Sequence, residues 1–274
     1  MPVSALLLAL AAAVVHASWN LLLSGEEDTH SASAVALVVG TVVFAPVSLI
    51  GWRLDSAALP YVASSSALEL LYLALLATGY SVAAMSFIYP IARGSAPVLV
   101  LLASVLLLGV GASLPAALGV VVVGVGIVLV RGLRVSGHPR DLALALSVGV
   151  CIAGYTLVDK RGITHASPLS YLELVFGLTC AAYVVGVWRV RGGAALRAAV
   201  SRSTVLAGIG FFGAYALTLA ALRLAPAASV SAVRESSVVM ATVFLALTGR
   251  EQIGAERLAG AIAVVVGIAL ISLG

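Results

Sequence analysis

The chain has 274 residues, of which 62% are hydrophobic and only 9% charged, with a formal net charge of +4. A soluble domain keeps roughly a quarter of its residues charged to clothe a water-facing surface, so a water-soluble globule is excluded. The basic residues stand singly or in twos and threes at the ends of apolar runs, as headgroup anchors do, so the net charge does not mark a nucleic-acid partner.

In chain order the apolar runs predict spans at 3–23, 31–51, 60–88, 93–109, 114–131, 141–160, 168–188, 203–223, 228–248 and 254–273. Most have the roughly 17–25 residues that cross a bilayer as a helix. A transmembrane barrel would alternate in segments of roughly ten residues, and it does not fit this sequence. Lipid offers no partner to open backbone groups, so the runs must be helices. The first run lacks the positive flank of a signal peptide and is too long for one, so it reads as a permanent span. The breaks carry turn and charged residues: Gly25-Glu26-Glu27-Asp28, Arg53 to Pro60, Tyr89-Pro90, Gly111 to Pro115, Arg131 to Arg140, Lys160 to Pro168, Leu224-Ala225-Pro226 and Gly249 to Gly254. The longest hydrophilic connection, Arg189 to Arg202, is too short for a domain. Cys151 and Cys180 lie inside apolar runs, which argues against a disulfide framework or a zinc site. Lys160 is the single lysine among 15 basic residues, an arginine bias that fits a GC-rich bacterial genome and a bacterial cytoplasmic (inner) membrane.

The halves repeat. A shift of 141 residues lays Arg93-Gly94-Ser95 over Arg234-Glu235-Ser236, Gly119 over Gly260, and Gly126-Ile127-x-Leu129 over Gly267-Ile268-x-Leu270. The expected organisation is therefore two five-helix repeats, 1–135 and 136–274. An odd number of spans per repeat inverts the second copy, and inverted repeats build secondary transporters with substrate near the midplane.

A charge at bilayer centre costs on the order of 2.5–3.5 kcal/mol on insertion scales, so each ionisable group inside a span needs a reason. His16, Trp19 and Asn20 share one face of span one, either lining a cavity or acting as interfacial anchors and interhelical partners. Glu69 lies inside span three with Tyr72 one turn on. A carboxyl there can take up a proton on one side and release it on the other, unless the span begins later and leaves Glu69 among headgroups. Arg93 and Arg234 occupy equivalent repeat positions, and Glu235 follows the second. They either line a cavity, pairing with a carboxylate or an anionic substrate group, or form a structural ion pair. Arg93 is the less deeply placed, because Tyr89-Pro90 brings an interface near it. Tyr155 is a lining residue one turn before Asp159, which Lys160-Arg161 marks as the membrane surface. Glu173 is read as interfacial too. Phe211, Tyr215 and Thr218 share a face of span eight, for substrate contact or for packing. Small residues at four-residue spacing, as in Ala145/Gly149/Ala153 and Ala259/Ala263/Gly267, predict close helix packing in a monomer or at a homodimer contact.

Four stretches carry a resemblance: His16-Ala17-Ser18-Trp19-Asn20, Tyr89 to Pro97, Gly154 to Asp159, and Arg234-Glu235-Ser236-Ser237 with Gly249-Arg250-Glu251. Over essentially its whole length the chain resembles the EamA-type members of the drug/metabolite transporter superfamily. One position departs: Val110 stands where such proteins often have glutamate, which Glu251 keeps in the second repeat. The resemblance implies a basket of ten helices around a central cavity, used for export of amino acids, other metabolites or toxic compounds, with no bound cofactor. It also implies both termini in the cytoplasm. The loops after odd-numbered spans carry about ten basic residues against about four after even-numbered ones, which the positive-inside rule reads the other way.

The expected function is a secondary transporter exporting amino acids or similar small polar metabolites, proton-coupled or facilitative. Its site is expected at His16, Trp19, Asn20, Tyr72, Tyr89, Arg93, Tyr155, Tyr215, Arg234 and Glu235, with Glu69 and Glu235 as proton-coupling candidates. The alternative is proton-driven efflux of lipophilic cations, with an acidic group as counter-charge. An intramembrane enzyme is disfavoured, since no Ser/His pair on adjacent turns, paired aspartates or His-Glu-x-x-His site appears in any span. A nucleotide-binding P-loop is also missing, so energy would come from gradients. The expected partners are a small-molecule substrate and the lipid bilayer, with neither metal nor cofactor.

Overall fold

The structure, a computed structural model, describes residues 1–23, 26–82, 85–131, 138–240 and 254–273. These form α1 (Val3–Leu23), α2 (Thr29–Ile50), a short 3-10 turn (Ser56–Ala58), α3 (Leu59–Val82), α4 (Met85–Leu106) and α5 (Leu114–Arg131). The second half follows with α6 (Pro139–Gly162), α7 (Pro168–Ala198), α8 (Arg202–Leu224), α9 (Ala227–Arg234) and α10 (Ala255–Leu273). By length and composition α1, α2, the Ser56–Leu76 stretch, α6, α7 and α8 are long and apolar enough to cross a membrane, and α4, α5 and α10 add shorter apolar stretches. Outward-facing side chains such as Leu7, Val42, Leu118 and Val265 are exposed in the manner of a lipid-covered surface.

Helix starts follow their caps. Asp28 accepts from the Ser31 N–H at the head of α2, and Ser167 caps α7 with Pro168 in the first turn. His138 and Asp141 form a reciprocal capping box on α6, as do Ser201 and Thr204 on α8.

Three expected boundaries are corrected. Helix α3 extends to Val82 and α4 begins at Met85, so the boundary between spans three and four does not fall at Tyr89-Pro90, and α4 runs through Pro90. The apolar run is unbroken there, so nothing in the sequence marks the reversal. A proline early in a membrane helix forfeits one intrahelical bond that neighbouring groups can replace. The Arg189–Arg202 connection is largely helical, because α7 continues to Ala198 across a break at Gly192, whose φ of 82° favours glycine. Span nine is not one straight helix: α9 ends at Arg234, Glu235 and Ser236 form a turn, and helix resumes over 237–240. The rest of that span, with Glu251, lies outside the described residues.

Tight crossings hold the bundle. α5 packs along α10, α1 along α8, α6 against α3 and α4, and α2 against α7 and α8, while α9 sits between α1 and α4. A Cβ added at Gly119 would stand 2.6 Å from the Gly267 carbonyl oxygen, and one at Gly126 would stand 2.8 Å from that of Gly260. The backbones touch because these positions carry no side chain.

Met1, the α4–α5 connection, the end of α6, the start of α9 and Ile271 gather around one cavity of about 430 Å³ and define what is here termed the terminal end. Leu54 pairs with Ala166 there, and the Arg223 guanidinium donates to the carbonyls of Ile163 and Ala166. At the opposite end Ser201 donates to Glu26.

Candidate functional site

Near the middle of the bundle Glu235 takes two guanidinium groups. Arg93 Nη1 from α4 lies 3.2 and 3.3 Å from its two carboxylate oxygens, and Arg234 Nη2 lies 2.9 Å from Oε1. All three side chains are buried, so the group joins α4 to the end of α9 through charge-assisted hydrogen bonds in a low-dielectric interior. The tight turn after Arg234 lets its guanidinium fold back onto the carboxylate of the next residue, which Arg93 also reaches. Arg93 also reaches the Tyr72 hydroxyl at 3.5 Å.

Beside this cluster lies a hollow of about 170 Å³ lined by Trp19, Asn20, Glu69, Tyr72, Arg93, Phe176, Thr179 and Phe211, among others. It runs from mid-bundle toward Leu23, Thr29 and Leu76, so its mouth is at the end opposite the termini. A deeper pocket of about 30 Å³ shares Trp19, Glu69, Tyr72, Arg93 and Phe211 with it and adds His16, Tyr155, Tyr215, Thr218 and Arg234. The two are continuous. Aromatic rings form the walls: Trp19 meets His16 and Phe211 edge-on at 4.8 and 5.0 Å, and Phe176 stacks on Phe211 at 4.8 Å.

Hydrogen-bonding capacity points into this space. His16 Nε2, Trp19 Nε1, Thr179 Oγ1 and Arg234 Nε are buried with no hydrogen-bond partner among the described residues. Buried polar atoms are normally satisfied, so these atoms leave the wall with hydrogen-bonding capacity unmet among the described residues.

A second polar cluster forms the floor of the deep pocket toward the terminal end. Asp159, 1% exposed, receives Ser65 Oγ at 2.6 Å and the Tyr171 hydroxyl at 2.9 Å on Oδ1, and the Tyr215 hydroxyl on Oδ2. Its donors come from α3, α7 and α8, so a single carboxylate on α6 ties four helices.

The sequence reading meets this geometry unevenly. His16, Trp19, Tyr72, Arg93, Tyr155, Tyr215 and Arg234 line one or both pockets, with Glu69 between them, and Glu235 stands behind the two arginines. Asn20 lines the wider hollow, with its amide nitrogen donating to the His16 carbonyl of its own helix. The Tyr89 side chain lies outside the described residues. Arg93 is not interfacial: it is 5% exposed, because helix α4 starts earlier than expected and carries it inward. Asp159, read as a surface marker, is corrected to a buried residue, and Phe211 lines both pockets. Glu173 stays apart from the hollow and accepts from Ser48 at 3.2 Å. Among the described residues no group of His, Cys, Asp and Glu is arranged to hold a metal.

Fold and site together define a multi-pass helical membrane protein with a polar hollow at its centre. Residues 141–273 match the EamA-like transporter family. A crystal structure 18% identical in sequence superposes with a TM-score of 0.78 over 98% of this chain and 98% of its own, a likeness of fold alone. No curated protein matches the sequence. The second half of the chain thus carries the EamA-like transporter pattern of the drug/metabolite transporter superfamily, which points to a membrane transporter.

Proposed function

We propose that this transporter exports amino acids or similar small polar metabolites across the bacterial cytoplasmic membrane as a secondary carrier, using a proton gradient or running as a facilitator. The observation that carries the reading is the hollow itself, which sets two guanidiniums and unpartnered N–H donors opposite Glu69. A guest with a carboxylate and an ammonium satisfies both sides. A volume of about 170 Å³ lies below the roughly 300–1,000 Å³ of pockets that take drug-sized ligands, which suits a single amino acid better. Two guanidiniums near the seam disfavour a lipophilic cation.

We read the halves 1–135 and 136–274 as inverted repeats. A two-fold axis that exchanges Gly119 with Gly260 and Gly126 with Gly267 carries the Gly119–Gly267 approach onto the Gly126–Gly260 approach. The pairing of α3 with α6 and of α8 with α1 obeys the same exchange, and Arg93 and Arg234 meet at one glutamate. Such a seam is where alternating access places its substrate.

The test is flux through purified protein in proteoliposomes, against radiolabelled amino acids, a quaternary-ammonium dye and nucleosides. Saturable amino-acid flux that falls at least tenfold in Arg234→Met is expected. Flux no greater than that of empty liposomes for every amino acid overturns the reading, and selective dye flux lost in Glu69→Gln replaces it with cation efflux.

A further inference from the structure

Asp159 itself lines neither the hollow nor the deep pocket. Its carboxylate lies beyond the deep pocket, near the terminal end of α6, where Tyr171 also donates to the Tyr61 carbonyl close to the start of α3. Three hydroxyl donors from three helices converge on this buried carboxylate. The third donor differs from the other two. Ser65 and Tyr171 bond Oδ1 and line neither pocket, whereas Tyr215 lines the deep pocket together with Glu69. A phenol has one proton to donate and lone pairs to accept with. Its proton is committed to Asp159 Oδ2, so toward Glu69 only its oxygen remains, as an acceptor for a carboxylic O–H.

We infer that Glu69, Tyr215 and Asp159 form a proton relay that carries the coupling proton between the hollow and the closed terminal end, with Asp159 as a second proton-binding site. The inference rests on the proposed proton coupling at Glu69. In the step, the O–H bond of protonated Glu69 breaks as its proton passes to the Tyr215 oxygen, and the Tyr215 O–H bond breaks as its proton passes to Asp159 Oδ2. Two O–H bonds break and two form, Tyr215 ends neutral, and the negative charge has moved from Asp159 to Glu69. The Tyr215–Asp159 hydrogen bond then reverses, with Asp159 Oδ2–H donating to the Tyr215 oxygen, and it loses its charge assistance, so the tie between α6 and α8 is weakened when the proton arrives.

The surroundings permit the transfer. Glu69 on α3, Tyr171 on α7, Tyr215 on α8 and Arg234 on α9 are the titratable or charged groups turned toward Asp159. Arg93 on α4 is engaged by Glu235. Lys160, the next residue on α6, is folded away and donates to the Leu222 and Ala225 carbonyls at the end of α8. No lysine therefore competes for the carboxylate.

Infrared difference spectroscopy of the full chain in lipid, with no substrate added, tests the relay. Titration should show two protonated-carboxyl bands, one removed by Glu69→Gln and the other by Asp159→Asn. After a pH jump the Glu69 band should decay as the Asp159 band grows, at least tenfold more slowly in Tyr215→Phe. Tyr171→Phe removes a donor from the same carboxylate outside the relay, so it should move the Asp159 midpoint and leave the exchange rate alone. Should Asp159→Asn fail to fold, Ser65→Ala must shift the same band. Bands unmoved by every Asp159-cluster variant, or an exchange rate indifferent to Tyr215→Phe, overturn the relay. A chain with intact exchange but no flux of any amino acid sinks the transport reading instead, so the two failures are distinguishable.

Discussion

Glu235 has two guanidinium partners in an interior that excludes water, and removing it leaves both without their shared counter-charge. Breaking a buried pair by deleting one partner costs about 3–5 kcal/mol, so Glu235→Gln should lose stability on that scale in a thermal unfolding assay. A Glu235→Leu/Arg93→Met/Arg234→Met triple variant should recover much of that loss while staying inactive, because no buried charge is left unmatched. Trp19→Phe keeps an aromatic wall but removes an N–H with no protein partner. One such hydrogen bond is worth about 1 kcal/mol, so KM should rise roughly fivefold with stability unchanged. At this scale the sequence showed the chemistry better than the depth. Tyr155 and Asp159 are one turn apart, so the face that holds one must hold the other. The basic pair after Asp159 masked this, yet successive residues on a helix point about 100° apart. Lys160 leaves for α8 and Arg161 for the surface while Asp159 turns inward.

Helices were legible where lipid and caps speak together. Pro139, Pro168 and the serine caps fix the starts of α6, α7 and α8 within a few residues of the predicted ones, whereas the α3–α4 boundary falls in uninterrupted apolar sequence with nothing to mark it. The break after Arg234 was illegible too, since no proline or glycine stands there and only tertiary pairing of Glu235 explains the turn. Element-scale tests follow from contact. Gly119→Val would force a side chain onto the Gly267 carbonyl and should destabilise by about 1–3 kcal/mol as overpacking does. Gly177→Ala, with open space around it, should be neutral or slightly stabilising in the same unfolding assay. Asp28 caps α2, and its hydrogen bond from the Ser31 hydroxyl holds its carboxyl below the usual range. A depressed carboxyl contributes stability above its unfolded value and loses it as pH falls through the folded one. Asp28→Ala should therefore cost about 1 kcal/mol near neutral pH and nothing in acid.

For the molecule as a whole, the hollow is open toward the end opposite the termini and floored by Asp159 toward the other. Two guanidiniums face three carboxyls across this region, Glu69, Asp159 and Glu235, so one proton balances the set. The order of the described helices was within reach of composition and punctuation. The meeting of residues 142 positions apart, Arg93 and Glu235, was foreshadowed only by the repeat, which overlays the two arginines without saying which carboxylate they share. The account's central claim is that this seam encloses a wet, guest-binding hollow. Thr179, deep in its wall and 2% exposed, tests it as Thr179→Cys in a background with Cys151 and Cys180 replaced by alanine. A charged, membrane-impermeant thiol reagent should label that cysteine from one side of the membrane only, and a transported amino acid should slow the labelling at least tenfold. A cysteine that reacts with no aqueous reagent from either side, while a lipid-soluble maleimide labels it freely, would contradict the account.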